Sequence, residues 1–93
     1  MPAQAISENQ AAGLLTQLTE AYKAFGAMDR KPFLSADDRA AIKETLASST
    51  QHARSALEIL AQQPGMSPAL RQLKGKLIVW TEMAAAELKQ ASR

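Results

Sequence analysis

Few residues in this chain have the types and the spacing that catalysis or metal binding requires. The single histidine, His52, has no cysteine and no second histidine with which to share a metal ion. Asp37 and Asp38 are adjacent, so their side chains diverge by about 100° around a helix. Glu82 and Glu87 are five residues apart and diverge as well. No phosphate-binding loop or nucleophile motif is present, and we expect no enzymatic activity and no catalytic, cofactor-binding or metal-binding residues.

The composition indicates one small helical domain. A chain of 93 residues predicts a single domain, and we expect residues 1–6 to form a flexible tail ahead of it. Good helix formers are abundant, whereas the chain has one valine and 4% aromatic residues. No apolar run approaches the roughly 20 residues of a membrane span, and residues 1–10 do not have the pattern of a signal peptide. The absence of cysteine fits a reducing compartment, so we expect a cytoplasmic protein.

Capping signals and apolar periodicity predict three helices. Ser7 and Gln10 have the spacing of a capping box, and Ser35 and Ser67 are the expected caps of the second and third helices. Proline-containing connections separate the three segments. The predicted helices cover residues of about 8–28, 36–63 and 68–91.

Each predicted helix carries an apolar seam with steps of three and four residues. The seams are Ala11, Leu15, Leu18, Tyr22 and Phe25; Ile42, Leu46, Ser49 or Thr50, Ala53, Leu57 and Leu60; and Leu70, Leu73, Leu77, Trp80, Ala84, Leu88 and Ala91. Because short connections favour antiparallel neighbours, we predict an all-α, antiparallel, up-down-up three-helix bundle. The alternative is a hairpin of the second and third helices, with the first helix detached or exchanged with a partner.

The sequence contains more apolar residues than one seam per helix requires. Ile59 lies off the second seam, and at least one of Ile78 and Val79 lies off the third. One interpretation is a broad buried face, and the other is a surface that binds another protein or a second copy of the chain. On the second interpretation the chain is a chaperone, adaptor or assembly subunit. Its predicted partner-binding residues are Ile59, Ile78, Val79, Trp80, Arg71, Lys74 and Lys76.

The last third of the chain is basic. Residues 67–93 contain five positively and two negatively charged residues, a balance of +3 within a total of +2. A small helical nucleic-acid-binding regulator, in which Arg71 and Lys74 contact phosphates, is therefore an alternative function. The balance of the whole chain and the long second helix do not favour it. An inhibitor or immunity protein that blocks a host factor is a third possibility, because it also needs only a complementary surface.

The second connection and its flanks carry a local resemblance. Ala56-Leu57-Glu58-Ile59-Leu60-Ala61 is followed by Pro64, then by Pro68-Ala69-Leu70 and Lys76-Leu77. This segment resembles the helical hairpin of type III secretion needle subunits. The aromatic, Asn-rich second helix and the apolar tail of that family are missing here. The resemblance implies a small subunit of a bacterial secretion apparatus, or a helical chaperone of one.

Overall fold

The protein is a bundle of three α-helices. The structure, a computed structural model, describes residues 5–91, and within that range it has no strand. The helices are α1 (Glu8–Ala27), α2 (Ala36–Gln62) and α3 (Pro68–Ala91), and a 3₁₀ turn, Met28–Arg30, follows α1. Every pair of helices is in contact, which confirms the predicted all-α bundle. Because α1 packs against both α2 and α3 of its own chain, the hairpin with a detached first helix is wrong.

Side-chain caps fix where the helices begin. The Ser7 hydroxyl accepts a hydrogen bond from Gln10 N at 3.1 Å, and Gln10 Oε1 accepts one from Ser7 N at 2.9 Å. This is the predicted capping box, which satisfies backbone donors that a helix leaves free at its start. Ser35 forms a second box with Asp38. The α1 helix continues one residue past Gly26, and Pro32 lies in the turn that follows.

The three helices are joined where α1 begins and α2 ends. The Gln63 side chain accepts from Ile6 N at 2.7 Å and donates to Ile6 O at 3.0 Å. Ser67 accepts from Leu70 N at 3.1 Å, which caps α3, and donates to Glu8 at 2.6 Å. Ile6 is thereby attached to the bundle. The flexible tail over residues 1–6 stays a prediction, and residues 1–4 of it lie outside the described residues.

These bonds also set the helix directions. The Ser67–Glu8 bond places the start of α3 beside the start of α1, and Gly26 and Glu87 line one groove near the other ends of the same helices. Hence α1 and α3 run parallel and α2 runs antiparallel to both, as predicted. The turn between α2 and α3 contains Gly65 with φ of +67°, a conformation that costs other residues about 1–2 kcal/mol.

The core is narrow because alanine and leucine fill most of it. Leu18, Leu46, Leu60 and Leu77 are fully buried. Small residues separate them, which lets the helices approach closely, and larger side chains such as Tyr22 pack only partly buried around this centre. The buried small residues are Ala11, Ala21, Ala53, Ala56 and Ala84.

Two threonines lie in this core. Thr50, one of the two alternatives in the predicted seam of α2, is 4% exposed, and its hydroxyl donates to Leu46 O at 2.7 Å. Thr81 is 5% exposed, although the predicted seam of α3 did not include it. Its hydroxyl has no hydrogen-bond partner among the described residues, a destabilising arrangement in a buried site.

We expect Thr81→Val to raise the free energy of unfolding by about 1 kcal/mol, because valine keeps the branched shape and removes the unsatisfied hydroxyl. Thr50→Val is the matched control, since it removes a hydroxyl that is already bonded, and we expect a smaller gain. Urea denaturation of both variants measures the difference. Equal changes in the free energy of unfolding would show that the Thr81 hydroxyl has a hydrogen-bond partner in solution.

Candidate protein interface

Three large apolar side chains are exposed on α3. Val79 is 53% exposed, Ile78 39% and Met83 38%. Single exposed apolar residues are common on protein surfaces, so their arrangement decides whether they form a surface that another protein can cover.

Val79 lies at the centre of an uncharged face of α3. At 100° per residue, Gly75, Met83 and Ala86 all project within about 40° of Val79, and all four residues are exposed. We call these four residues the α3 outer face. Gln72 and Gln90 extend the same line toward the two ends of the helix, and both are exposed and uncharged.

Charged residues border the α3 outer face on both sides. Lys76 lies about 60° from Val79 on one side, and Glu82 lies about 60° away on the other. Both are exposed. An apolar centre with a charged rim is the arrangement found in protein interfaces, where charged residues are depleted from the centre.

The spacing within the α3 outer face matches that of a helix-packing seam. Gly75, Val79, Met83, Ala86 and the adjoining Gln90 are separated by four, four, three and four residues, close to the alternating steps of three and four along which one helix packs against another. The inner seam, which includes Leu70, Leu77 and Ala84, already packs against α1 and α2. The α3 helix therefore carries a second seam on the side that faces away from the bundle.

Gly75 has no packing role within the bundle. A Cβ atom built at this position would have no described atom within 4 Å, other than those of its own helix and chain neighbours. Glycine inside a helix costs about 1 kcal/mol relative to alanine. Gly13 in α1 is open in the same way, so an open glycine alone does not identify an interface. At Gly75, however, the missing side chain lies in the seam, where a partner helix can approach closely.

The predicted apolar residues do not share one surface. Ile59 is half-buried and lies seven residues after His52, which lines the α1–α2 groove. Ile78 lies seven residues before Ala85, which lines the α2–α3 groove. Because seven residues are close to two helical turns, Ile59 lies on the side of α2 toward α1, and Ile78 lies on the side of α3 toward α2. Val79 is the only one of the three on the α3 outer face.

Trp80 packs inside the bundle. It is half-buried, and its ring meets that of Tyr22 edge-to-face, with centroids 5.4 Å apart and an angle of 84° between the planes. Such pairs contribute about 0.5–1.5 kcal/mol beyond the area that they bury. The tryptophan therefore joins α3 to α1 and is not part of the α3 outer face.

The three predicted basic residues also diverge. Arg71 and Lys76 are exposed, whereas Lys74 is half-buried. Arg71 and Lys74 lie about 60° apart on the helix, but Lys76 lies about 140° from Arg71. Lys76 is thus at the rim of the α3 outer face, and the other two flank the side toward α2. The geometry does not gather the three into one basic patch.

Met83, Ala86 and Gly75 complete the surface but are absent from the sequence prediction. Their signal was present in the sequence, as uncharged residues at steps of three and four on both sides of Val79. The inner seam of the same helix has the same spacing, so it obscured a second seam on the opposite side.

No family model, curated protein or solved structure matches this chain. The resemblance of residues 56–77 to secretion needle subunits therefore stays a prediction. Within residues 5–91, no helix has both the length and the apolar character to cross a membrane, and no group of three or more His, Asp or Glu side chains is placed to hold a metal ion.

Gly75→Ala should raise the free energy of unfolding by about 1 kcal/mol, because alanine favours the helix and its methyl group meets open space. Gly13→Ala should produce a similar gain. Chemical denaturation measures both. A loss of stability in Gly75→Ala alone would contradict the open environment of this position.

Proposed function

We propose that this protein is a non-enzymatic interaction module that binds a helix of a partner through the α3 outer face. The observation that carries the proposal is the second seam of α3, an uncharged line centred on Val79 with Lys76 and Glu82 at its rim. The bundle does not use this seam internally, since Val79 is 53% exposed.

The spacing of residues in the second seam indicates the kind of partner that it can bind. Its spacing of three and four residues fits the side chains of another α-helix, and Gly75 allows the two backbones to approach closely. Such recognition belongs to the class in which one helix lies along the apolar surface of another protein. An adaptor, a chaperone that covers an apolar helix, and an assembly subunit all use this contact. The resemblance to secretion needle subunits implies a partner in a secretion apparatus and belongs to the same proposal.

The rival functions receive less support. Binding of nucleic acid requires several exposed cations that converge on one surface. Arg71 and Lys74 lie about 60° apart on the helix, but Lys74 is half-buried, and Lys76 projects about 140° from Arg71. An inhibitor would use the same outer face as an adaptor, so the geometry favours neither one over the other.

Val79→Asp is expected to abolish partner binding while leaving the bundle folded. The new carboxylate would be buried without a partner charge at the centre of the interface, whereas in the free protein position 79 is open to water.

A photo-crosslinking residue at position 79 should capture the partner in cells. Binding of the purified partner to wild type and variant, followed by calorimetry, should then show a loss of at least about 30-fold, the scale of an interface hot spot.

Two control variants test whether the loss of binding is specific to the α3 outer face. Ser55→Asp adds the same charge at an exposed position of α2. Ile78→Gln alters the neighbouring exposed apolar residue on the side of α3 toward α2. Both should bind as the wild type does, with circular dichroism verifying each fold. Equal loss in Ile78→Gln would move the interface to the α2–α3 groove. Failure of position 79 to crosslink to any protein, including a second copy, would overturn the proposal.

A further inference from the structure

Among residues 5–91, the most exposed large apolar side chain lies in the connection before α2. Phe33 is 83% exposed and occupies a turn, Lys31–Leu34, closed by a hydrogen bond of 3.3 Å from Leu34 N to Lys31 O. Pro32 lies at the second position of this turn, where its fixed φ favours the turn conformation.

Further bonds hold this turn in place. Lys31 N donates to Met28 O at 3.2 Å, and Arg39 of α2 donates to Lys31 O at 3.5 Å. These hydrogen bonds therefore fix the backbone of the turn from which the ring of Phe33 projects into solvent. Preorganisation of this kind lowers the entropy lost when a side chain enters a binding site.

An apolar groove lies near the same end of the bundle, between α1 and α2. It has a volume of about 210 Å³ and is lined by Ala21, Ala24, Ala41, Ile42 and Thr45. The Thr45 hydroxyl donates a hydrogen bond to Ala41 O at 2.9 Å. No charged side chain of the described residues lines the groove. The volume is below the roughly 300–1,000 Å³ of sites for small molecules and fits a single large side chain.

Charges around the groove and around Phe33 are complementary. Glu20 and Asp37 are exposed and lie four residues before Ala24 and Ala41, so they neighbour the groove on both helices. Arg30 and Lys31 lie directly before Pro32 and Phe33 in the chain and are exposed. The groove therefore fits an aromatic residue flanked by cations, and the chain itself presents such a residue.

We infer that this groove binds Phe33 of a second copy of the chain. In its own chain Phe33 remains 83% exposed, so the groove is not filled from within. Ile42, which lines the groove, lies six residues after the start of α2, about 9 Å along the helix. The ring of Phe33 and the groove therefore lie at the same end of the molecule. A two-fold axis allows each copy to insert its Phe33 into the other and closes the assembly at two copies.

The contact is small. One aromatic side chain from each copy, with the flanking turns, buries less than the roughly 1,200 Å² of a stable interface. The dimer is therefore a weak one that forms at high local concentration, and its charged flanks make it sensitive to salt. This association does not use the α3 outer face, so it is independent of the proposed partner binding.

Sedimentation equilibrium at concentrations up to about 1 mM, at low and high salt, tests the dimer. Wild type should dimerise more strongly at low salt. Phe33→Ala should weaken dimerisation by at least about 30-fold, and it should leave the fold intact because the side chain is 83% exposed. Ala41→Trp, which fills the groove, should do the same, with Ala24→Trp as a second filling variant. Val79→Asp should dimerise as the wild type does.

Mixing the two defective chains gives the decisive measurement. Phe33→Ala retains the groove and Ala41→Trp retains the aromatic ring, so a mixture restores one of the two insertions. Fluorescence energy transfer between labelled chains should detect a heterodimer in the mixture and none within either variant alone. A wild type that is monomeric at all concentrations, a Phe33→Ala chain that dimerises normally, or a mixture without heterodimer would overturn the inference.

Discussion

The narrowness of the core is the constraint from which the other features of this protein follow. Four fully buried leucines are separated by alanines, so the helices lie close together and each hides only a thin stripe of its surface. Apolar side chains outside that stripe have no place inside. Val79 and Met83 of α3 are therefore exposed, and each is available to another molecule.

The local parts of the fold were predictable because their signals are short-range. Ser7 and Gln10 are three residues apart, and the capping box that they form involves only the first turn of α1. The start of α3 follows in the same way from Ser67 and Pro68. The Gln63–Ile6 bonds join residues 57 apart in sequence, and no local pattern could reveal them.

The candidate surface was only partly predictable, for a geometric reason. The period of a helix gives the angle between two residues, but the direction of the core fixes which angles face solvent. On α3 the core centres on Leu77 and Thr81, which places Trp80 against α1 and Val79 outside. With the core unknown, a run such as Leu77–Trp80 could be divided in several ways, and Thr81 would not be expected inside.

The two surfaces differ in what they demand of a partner. The α3 outer face is long and uncharged, and its seam suits the regular spacing of a helix, whereas the groove between α1 and α2 suits one aromatic ring with cationic flanks. Because they use different residues, occupation of one leaves the other open. A dimer through Phe33 would therefore present two α3 outer faces at once. Two linked faces bind a partner with repeated helices far more tightly than one face does, provided that the geometry allows both to engage. The protein concentration at which the Phe33 dimer forms would then be the concentration at which this tighter binding to the partner begins.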